Sequence, residues 1–124
     1  MTNLGRRTGH GDGAKFITLP WVRTQIEAKM GFTPYAGTLN IRLSDRNAAR
    51  RKLLENAEAI SISPEEGYCS GKLFKATIDT VNCAVIIPEV AGYPHNVLEI
   101  IAAFNLREQL QLSDSDKVTV TINL

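Results

Sequence analysis

The sequence has few cysteines and no excess of charge of one sign, and these shortages exclude several classes of protein. Its two cysteines, Cys69 and Cys83, are too few for a disulfide framework and lack the paired spacing of a zinc site. Cys83 lies in an apolar run, which predicts a buried free thiol. Fourteen basic and 13 acidic residues leave a net charge of +1, which argues against nucleic acid or a membrane as a partner.

Long apolar runs are also lacking. None approaches the roughly 20 residues that span a bilayer, and Met1–Gly13 is polar and glycine-rich, unlike a secretory leader. The 124 residues suffice for one hydrophobic core without a structural metal. We expect one domain over residues 1–124, in a monomeric cytoplasmic protein.

Two helices and several short strands are predicted. Pro20 opens the first helix, Gly31 follows its end, and Asp45 is the predicted cap of the second. The apolar stripes of the two helices are Val22, Ile26 and Met30, and then Ala49, Leu53 and Ala57. The predicted strands are Phe16–Leu19, Thr38–Leu43, Ile60–Ser63, Lys72–Val81, Cys83–Ile87, Asn96–Ala103 and Lys117–Leu124. Leu106–Leu112 is predicted to form one helical turn. Mostly short strands with few helices favour a small closed barrel.

A glycine-rich segment near the start is the first candidate for chemistry. It runs Gly9-His10-Gly11-Asp12-Gly13, with Lys15 close behind. Closely spaced glycines let successive N–H groups surround phosphate oxygens. The segment lacks the Gly-Lys-Ser/Thr end of a Walker A loop and the spacing of a dinucleotide fingerprint. A flexible terminal turn is an equally good interpretation.

Thr38 and Asn40 are two apart in a predicted strand and project to one face. A hydroxyl and an amide carbonyl are hard oxygen ligands that suit Mg²⁺. An ordinary exposed strand face explains the same pattern, and from the pattern alone it is the preferred interpretation.

Two charged residues near the end complete the candidates. Glu99 interrupts an apolar strand, so it is either a general base beside a cleft or a carboxylate on an exposed barrel rim. Arg107 either binds phosphate or a base, or pairs on the surface with Glu108 or Asp114. The four basic residues Arg46, Arg50, Arg51 and Lys52 are interpreted as a solvated helix face rather than a binding patch.

The order of these pieces resembles the archaeal CTP-dependent riboflavin kinases. The resemblance rests on the glycine segment continued to Phe16, on residues 31–40 (GFTPYAGTLN), and on residues 84–88, 98–102 and 106–110 (AVIIP, LEIIA, LREQL). It covers nearly the whole chain. It implies a mostly β fold, a small six-stranded cradle-loop β-barrel with two short helices.

The resemblance also implies the reaction, in which the γ-phosphate of CTP moves to the 5′-hydroxyl of riboflavin to give FMN and CDP, with one Mg²⁺ bound with the nucleotide. Thr38 and Asn40 would be the metal ligands, Glu99 the catalytic base and a flavin contact, and Ala91 a second flavin position. The implied nucleotide-binding residues are Gly9, His10, Gly11, Asp12, Gly13, Ala14, Phe104, Asn105, Leu106 and Arg107.

Two departures from the family pattern concern the flavin and the nucleotide loop. Ala91 stands where the family often has a threonine, so one flavin hydrogen bond is missing or is replaced by Tyr93. Ala102-Ala103 replaces the family's Ala-Pro, which makes the start of the loop less rigid. The competing interpretation is a non-catalytic barrel that binds flavin or nucleotide as a sensor or regulator.

Overall fold

The structure is a computed structural model. It describes residues 2–4, 6–9, 16–55, 57–64, 70–89, 92–113 and 116–123, with the backbone alone at 2–4 and 6–9. The predictions for residues 10–15, for Cys69 and for Ala91 therefore lie outside the described residues. In the part of the chain that is described, no helix is long and apolar enough to cross a membrane.

The described residues contain eight strands and three short helices, with one 3-10 turn at Lys52–Glu55. The strands are β1 (Thr2–Leu4), β2 (Arg6–Gly9), β3 (Thr38–Arg42), β4 (Ile60–Ile62), β5 (Gly71–Ile78), β6 (Val81–Pro88), β7 (Val97–Ile101) and β8 (Lys117–Ile122). The helices are α1 (Pro20–Met30), α2 (Asp45–Arg51) and α3 (Leu106–Gln109). The mostly β fold is confirmed, and the six strands β3–β8 fall on predicted strands.

The strands form one antiparallel sheet in the order β1-β8-β5-β6-β7-β3-β2, and β4 pairs with β5 beside this path. Laid flat, seven strands would separate β1 from β2 by about 29 Å, at a spacing of about 4.8 Å per strand. One residue separates β1 from β2 in the chain, and β1 also contacts β3. The sheet therefore curls so that its two ends come close together, in keeping with the predicted barrel.

Both faces of the sheet are covered by apolar side chains. Along β6, Cys83 and Val85 belong to the core inside the curl, whereas Ala84 and Ile86 belong to a second core under α1. A strand buried on both faces is apolar without alternation, which explains the continuous run from Cys83 to Ile87. Cys83 is a buried free thiol, as predicted.

Helix α1 forms as predicted and covers the second core. Pro20 stands at its start, Val22 and Ile26 are fully buried, and Gly31 ends it in the left-handed region at φ 81°. The predicted strand at Phe16–Leu19 is wrong, because this segment is a turn in which Leu19 N–H donates to Phe16 O at 3.2 Å. The Phe16 ring packs so closely on Gly71 that a Cβ there would lie 2.7 Å from Phe16 Cε2.

Helix α2 exists, but the predicted cap and buried face are wrong. Ser44 is the N-cap, accepting from Asn47 N–H at 3.3 Å, and Asp45 is the first helical residue. The predicted stripe is not the buried one, since Ala49 and Leu53 are exposed. The buried side chains of α2 are the polar Asn47 and Arg51, one turn apart.

Candidate functional site

Three buried polar side chains meet where β3 pairs with β7. Thr38, Asn40 and Glu99 are 1%, 9% and 3% exposed. Asn40 lies directly opposite Glu99 in the register, and Glu99 lies opposite Ile86 of the second core. Residues opposite each other point to one face of the sheet. Asn40 and Glu99 therefore share a face with Ile86, and they are the polar members of a row that continues into the apolar second core. The two exposed interpretations, a strand face for Thr38 and Asn40 and a barrel rim for Glu99, are wrong.

The oxygen atoms of this cluster lie within hydrogen-bond distance of one another. Thr38 Oγ1 is 2.6 Å from Asn40 Oδ1 and 3.1 Å from Glu99 Oε2. A hydroxyl has one proton to donate, so Thr38 serves only one of these two acceptors at a time. Thr38 Oγ1 and Asn40 Oδ1 are hard oxygen atoms of the kind that Mg²⁺ prefers, so these two side chains could hold such an ion.

The second oxygen of Glu99 points to a different partner. Tyr93 is 8% exposed, and its hydroxyl donates to Glu99 Oε1 at 2.8 Å. Hydroxyls from two different segments therefore lie within hydrogen-bond distance of the two oxygens of this carboxylate. Tyr93 is the residue named as a replacement for the hydroxyl missing at position 91, and the structure joins it to Glu99.

A pocket opens on the Thr38 side of the cluster, and we call it the Phe104 pocket. Its lining residues are Tyr35, Gly37, Thr38, Leu39, Ile100, Ala102 and Phe104–Arg107. Tyr35 and Phe104 are 43% and 39% exposed. Two accessible aromatic rings at the mouth offer stacking surfaces for a planar group. The predicted loop residues 104–107 therefore lie beside the predicted metal ligand Thr38.

The loop around this pocket is held by short polar contacts. Tyr35 N–H donates to Ala102 O at 2.7 Å. Asn105 caps α3, because its Oδ1 accepts from Arg107 N–H at 3.0 Å and from Glu108 N–H at 3.4 Å. These bonds fix the backbone on both sides of Phe104. They do locally what a proline at position 103 would do by restricting φ.

The glycine segment begins beside the same cluster. Gly9 is the last residue of β2 and pairs with Thr38. His10–Ala14 and Lys15 lie outside the described residues. The chain therefore leaves β2 next to Thr38, although the contacts of the segment itself are not described.

A larger cavity of about 230 Å³ lies on the Tyr93 side, and we call it the Tyr93 cavity. Its lining residues are Arg51, Leu54, Glu55, Lys72, Ile87, Pro88, Glu89, Gly92, Tyr93 and His95. Glu99 is linked to this cavity through Tyr93 and to the Phe104 pocket through Thr38. The carboxylate thus lies between the Tyr93 cavity, which is large enough for a ligand, and the Phe104 pocket, whose volume is about 10 Å³.

Arg51 is the residue of this cavity that sequence reasoning missed. It is 4% exposed, and its Cζ lies 5.6 Å from the centre of the Tyr93 ring. Burial lowers the pKa of its guanidinium, and the charges of Tyr93 and Glu55 raise it in part. The prediction of a solvated face is therefore wrong for Arg51. The signal that could have found it is the i, i+4 spacing with Asn47, which places two polar residues on one helical stripe.

Comparison with known proteins places the chain in one family, through a family model and through curated relatives. The fold and site define a small β-barrel with a buried carboxylate between a cavity of about 230 Å³ and a small surface pocket lined by Phe104. A family model described as "Domain of unknown function DUF120", with the short name CTP-dep_RFKase, matches residues 7–122. The chain belongs to this CTP-dependent riboflavin kinase family.

Curated relatives with the name "Riboflavin kinase" are similar over most of this chain. The protein from Pyrobaculum aerophilum is 42% identical over 124 residues, covering 94% of this chain and 58% of the relative. Those from Pyrobaculum islandicum and Methanosarcina barkeri are 38% and 36% identical, covering 94% and 92% of this chain and 57% and 52% of the relatives. The chain thus spans somewhat more than half the length of these relatives.

Proposed function

We propose that the chain is a riboflavin kinase domain that transfers the γ-phosphate of CTP to the 5′-hydroxyl of riboflavin. The observation that carries the proposal is the position of Glu99. One of its oxygens is 3.1 Å from Thr38 Oγ1, and the other accepts from Tyr93 at 2.8 Å. The relatives' name supports riboflavin as the acceptor, and the family model's name supports CTP as the donor.

Thr38 and Asn40 would hold the metal, which we propose is one Mg²⁺ bound with the nucleotide. Their oxygens fit the ion, because Thr38 Oγ1 and Asn40 Oδ1 are 2.6 Å apart and Thr38 has one proton for two acceptors. When bound, Mg²⁺ neutralises phosphate charge during phosphoryl transfer. Among the described residues no group of three His, Cys, Asp or Glu side chains is placed to hold a metal.

The nucleotide would lie along β3 and the Phe104 pocket. Gly9 pairs with Thr38, so the amides of His10–Ala14 would bind phosphates next to the metal ligands, with Lys15 as an added positive charge. The cytosine would lie over the Phe104 pocket against the exposed rings of Tyr35 and Phe104, where residues 104–107 are held by the Asn105 cap. Backbone groups of a fixed loop can discriminate a small base by its hydrogen-bonding edge.

Glu99 would act on the acceptor. Its carboxylate accepts the proton of the riboflavin 5′-hydroxyl while the hydroxyl oxygen forms a bond to the γ-phosphorus. The bond from that phosphorus to the bridging oxygen breaks, and CDP leaves with the electron pair. Tyr93 and Thr38 hold the carboxylate in place, because each approaches a different oxygen. Flavin would reach Glu99 from the Tyr93 side, and Ala91 stays a proposed second flavin position.

The test is to incubate the chain with riboflavin, Mg²⁺ and each of CTP, ATP, GTP and UTP, and to quantify FMN and nucleoside diphosphate. We expect FMN and CDP in equal amounts, with CTP the best donor. A higher rate with ATP would contradict the donor assignment. Binding of riboflavin or CTP without any FMN would favour the second candidate, a non-catalytic sensor or regulator.

A further inference from the structure

Arg51 has a buried donor that no described residue satisfies. The side chain is 4% exposed, and its Nε has no hydrogen-bond partner. A buried N–H that has lost water without gaining an acceptor is destabilising. Arginine cannot remove the problem by giving up its proton, because its pKa lies far above neutrality. No described residue supplies an acceptor to this guanidinium, so an acceptor from outside the chain, in the cavity that Arg51 lines, would be stabilising.

The neighbours of Arg51 hold its charge but do not supply that acceptor. Tyr93 presents its ring at 5.6 Å from Cζ, and a ring attracts a cation without offering an oxygen or nitrogen to Nε. Glu55 lies one helical turn later, but its Oε1 is 3.9 Å from His95 Nδ1 and its side chain is 57% exposed. The guanidinium thus lies against the Tyr93 ring without an acceptor from these neighbours.

The space next to Arg51 has the character of a site for a flat, neutral molecule. Arg51 lines the Tyr93 cavity of about 230 Å³, together with apolar walls from Leu54, Ile87 and Pro88. The charged side chains of the cavity offset one another, with Lys72 and Arg51 positive and Glu55 and Glu89 negative. Offset charge gives no preference for an anion. Apolar walls with one buried donor favour a heteroaromatic ring that has an acceptor on its edge.

We propose that Arg51 determines specificity for the acceptor, by donating from its guanidinium to a carbonyl oxygen or ring nitrogen of a planar heteroaromatic ligand in the Tyr93 cavity. The identity of that ligand as the isoalloxazine ring of riboflavin rests on the proposed function. The cavity reaches Glu99 through Tyr93, whose hydroxyl is 2.8 Å from Glu99 Oε1. A ring held by Arg51 would thus have its side chain next to the proposed base.

The test compares Arg51→Met with Arg46→Met, which makes the same chemical change at an exposed position of α2. We expect Arg51→Met to raise the riboflavin Kd, measured by quenching of flavin fluorescence without nucleotide, by about tenfold to a hundredfold. The riboflavin KM should rise equally, with kcat and the CTP KM within twofold of the wild type. Arg46→Met should match the wild type. A folded Arg51→Met protein with wild-type riboflavin affinity would overturn the proposal.

Melting temperatures separate recognition from a structural role. Replacing a buried charge with an apolar side chain of similar length is often neutral or stabilising, so Arg51→Met should melt no lower than the wild type without ligand. It should lose most of the rise in melting temperature that riboflavin produces. If Arg51→Met fails to fold, Arg51→Lys keeps the positive charge but lacks the planar guanidinium. Wild-type riboflavin affinity in Arg51→Lys would equally overturn the proposal.

Lumiflavin, which has the ring but no ribityl chain, tests where the contact is made. Arg51→Met should weaken lumiflavin and riboflavin by the same factor, and a loss confined to riboflavin would overturn the ring assignment. A wild-type protein that binds flavin without making FMN would refute the kinase function and leave the Arg51 comparison intact. A wild-type protein that makes FMN while Arg51→Met binds normally would refute the Arg51 role alone. Absence of flavin binding in the wild type would refute both.

Discussion

The Phe104 pocket and the Tyr93 cavity approach the same carboxylate from opposite sides, but they are built by different means. The Phe104 pocket is made by residues 35–39 and 100–107, and the loop at 104–107 is held by local bonds in which the amides of Arg107 and Glu108 donate to Asn105 Oδ1. The Tyr93 cavity gathers side chains from α2, β5, β6 and the segment before β7. A loop held by local bonds is recognisable as a motif of neighbouring residues in the sequence. A cavity lined by residues from several elements is not, because its lining residues are far apart in the sequence.

The largest expected effect concerns the group that both spaces share. Glu99→Gln keeps the shape of the side chain but removes its ability to accept a proton. General bases contribute about 10²- to 10⁴-fold to rate, so we expect kcat for FMN formation to fall about a thousandfold, with the CTP Kd unchanged. Steady-state kinetics and calorimetric titration of CTP measure the two quantities.

The matched control for Glu99→Gln is Glu58→Gln, which makes the same change on the exposed surface and should keep wild-type turnover. Wild-type turnover in Glu99→Gln would remove Glu99 as the base. Equal losses in turnover and CTP affinity would instead assign it to the nucleotide side and break the division between the two spaces.

The next effect sharpens the Phe104 side of the comparison. Asn40→Ala removes one of the two proposed metal ligands, Thr38 being the other, and Asn40 Oδ1 is 2.6 Å from Thr38 Oγ1. Loss of a group that only supports a metal ligand lowers metal affinity or activity about 10- to 100-fold. Loss of the ligand itself should lower metal affinity by about 100-fold or more. We expect the Mg²⁺ concentration that gives the half-maximal rate to rise about a hundredfold.

Two further variants check the metal assignment. Asn40→Asp keeps an oxygen at the position and should retain Mg²⁺-dependent activity, while Asn96→Ala makes the amide deletion at an exposed site and should have no effect. If Asn40→Ala retained the Mg²⁺ response of the wild type, the ion would have to bind elsewhere.

The sequence predicts the parts of the molecule that depend on local contacts better than the parts that depend on long-range contacts. Helix α1 was predicted because Pro20 and Gly31 mark its two ends within eleven helical residues. Strands β1 and β2 were not predicted, because β1 is stabilised by pairing with β8 at the other end of the chain. The burial of Arg51 was missed for a similar reason, since the Tyr93 ring that contacts it lies far along the sequence.

The site shows the limit more clearly. The pattern around Thr38 and Asn40 favoured an exposed strand face, and only the register that sets Asn40 opposite Glu99 brings the three polar residues together. That register depends on backbone pairing between distant strands and leaves no local signal. The family resemblance predicted the grouping of these residues, and their roles remain predictions until the variants are measured.

A smaller effect tests whether the Phe104 loop depends on its local bonds. Asn105→Ala removes the cap of α3, a loss that typically costs about 1 kcal/mol. If that energy orders the loop for the nucleotide, the CTP KM should rise about fivefold while the riboflavin KM stays constant. Asn105→Ser preserves a capping oxygen and should restore the wild-type value. A change confined to the riboflavin KM would show that the two spaces are not independent.

The smallest expected effect at neutral pH concerns the core beneath both spaces. Burial raises the pKa of the Cys83 thiol from its ordinary value of 9.0 to about 12, although a hydrogen bond with the Ile78 backbone lowers it in part. Between pH 9 and 12 the unfolded chain releases this proton and the folded chain keeps it. The free energy of unfolding should therefore be unaffected by Cys83 below pH 9 and should fall as the pH rises above it.

Only the thiolate reacts rapidly, so in a Cys69→Ser background Cys83 should resist Ellman's reagent at pH 8 until urea unfolds the protein. Rapid labelling of the folded chain would mean that this core opens, and that the barrel does not hold the two spaces rigidly apart.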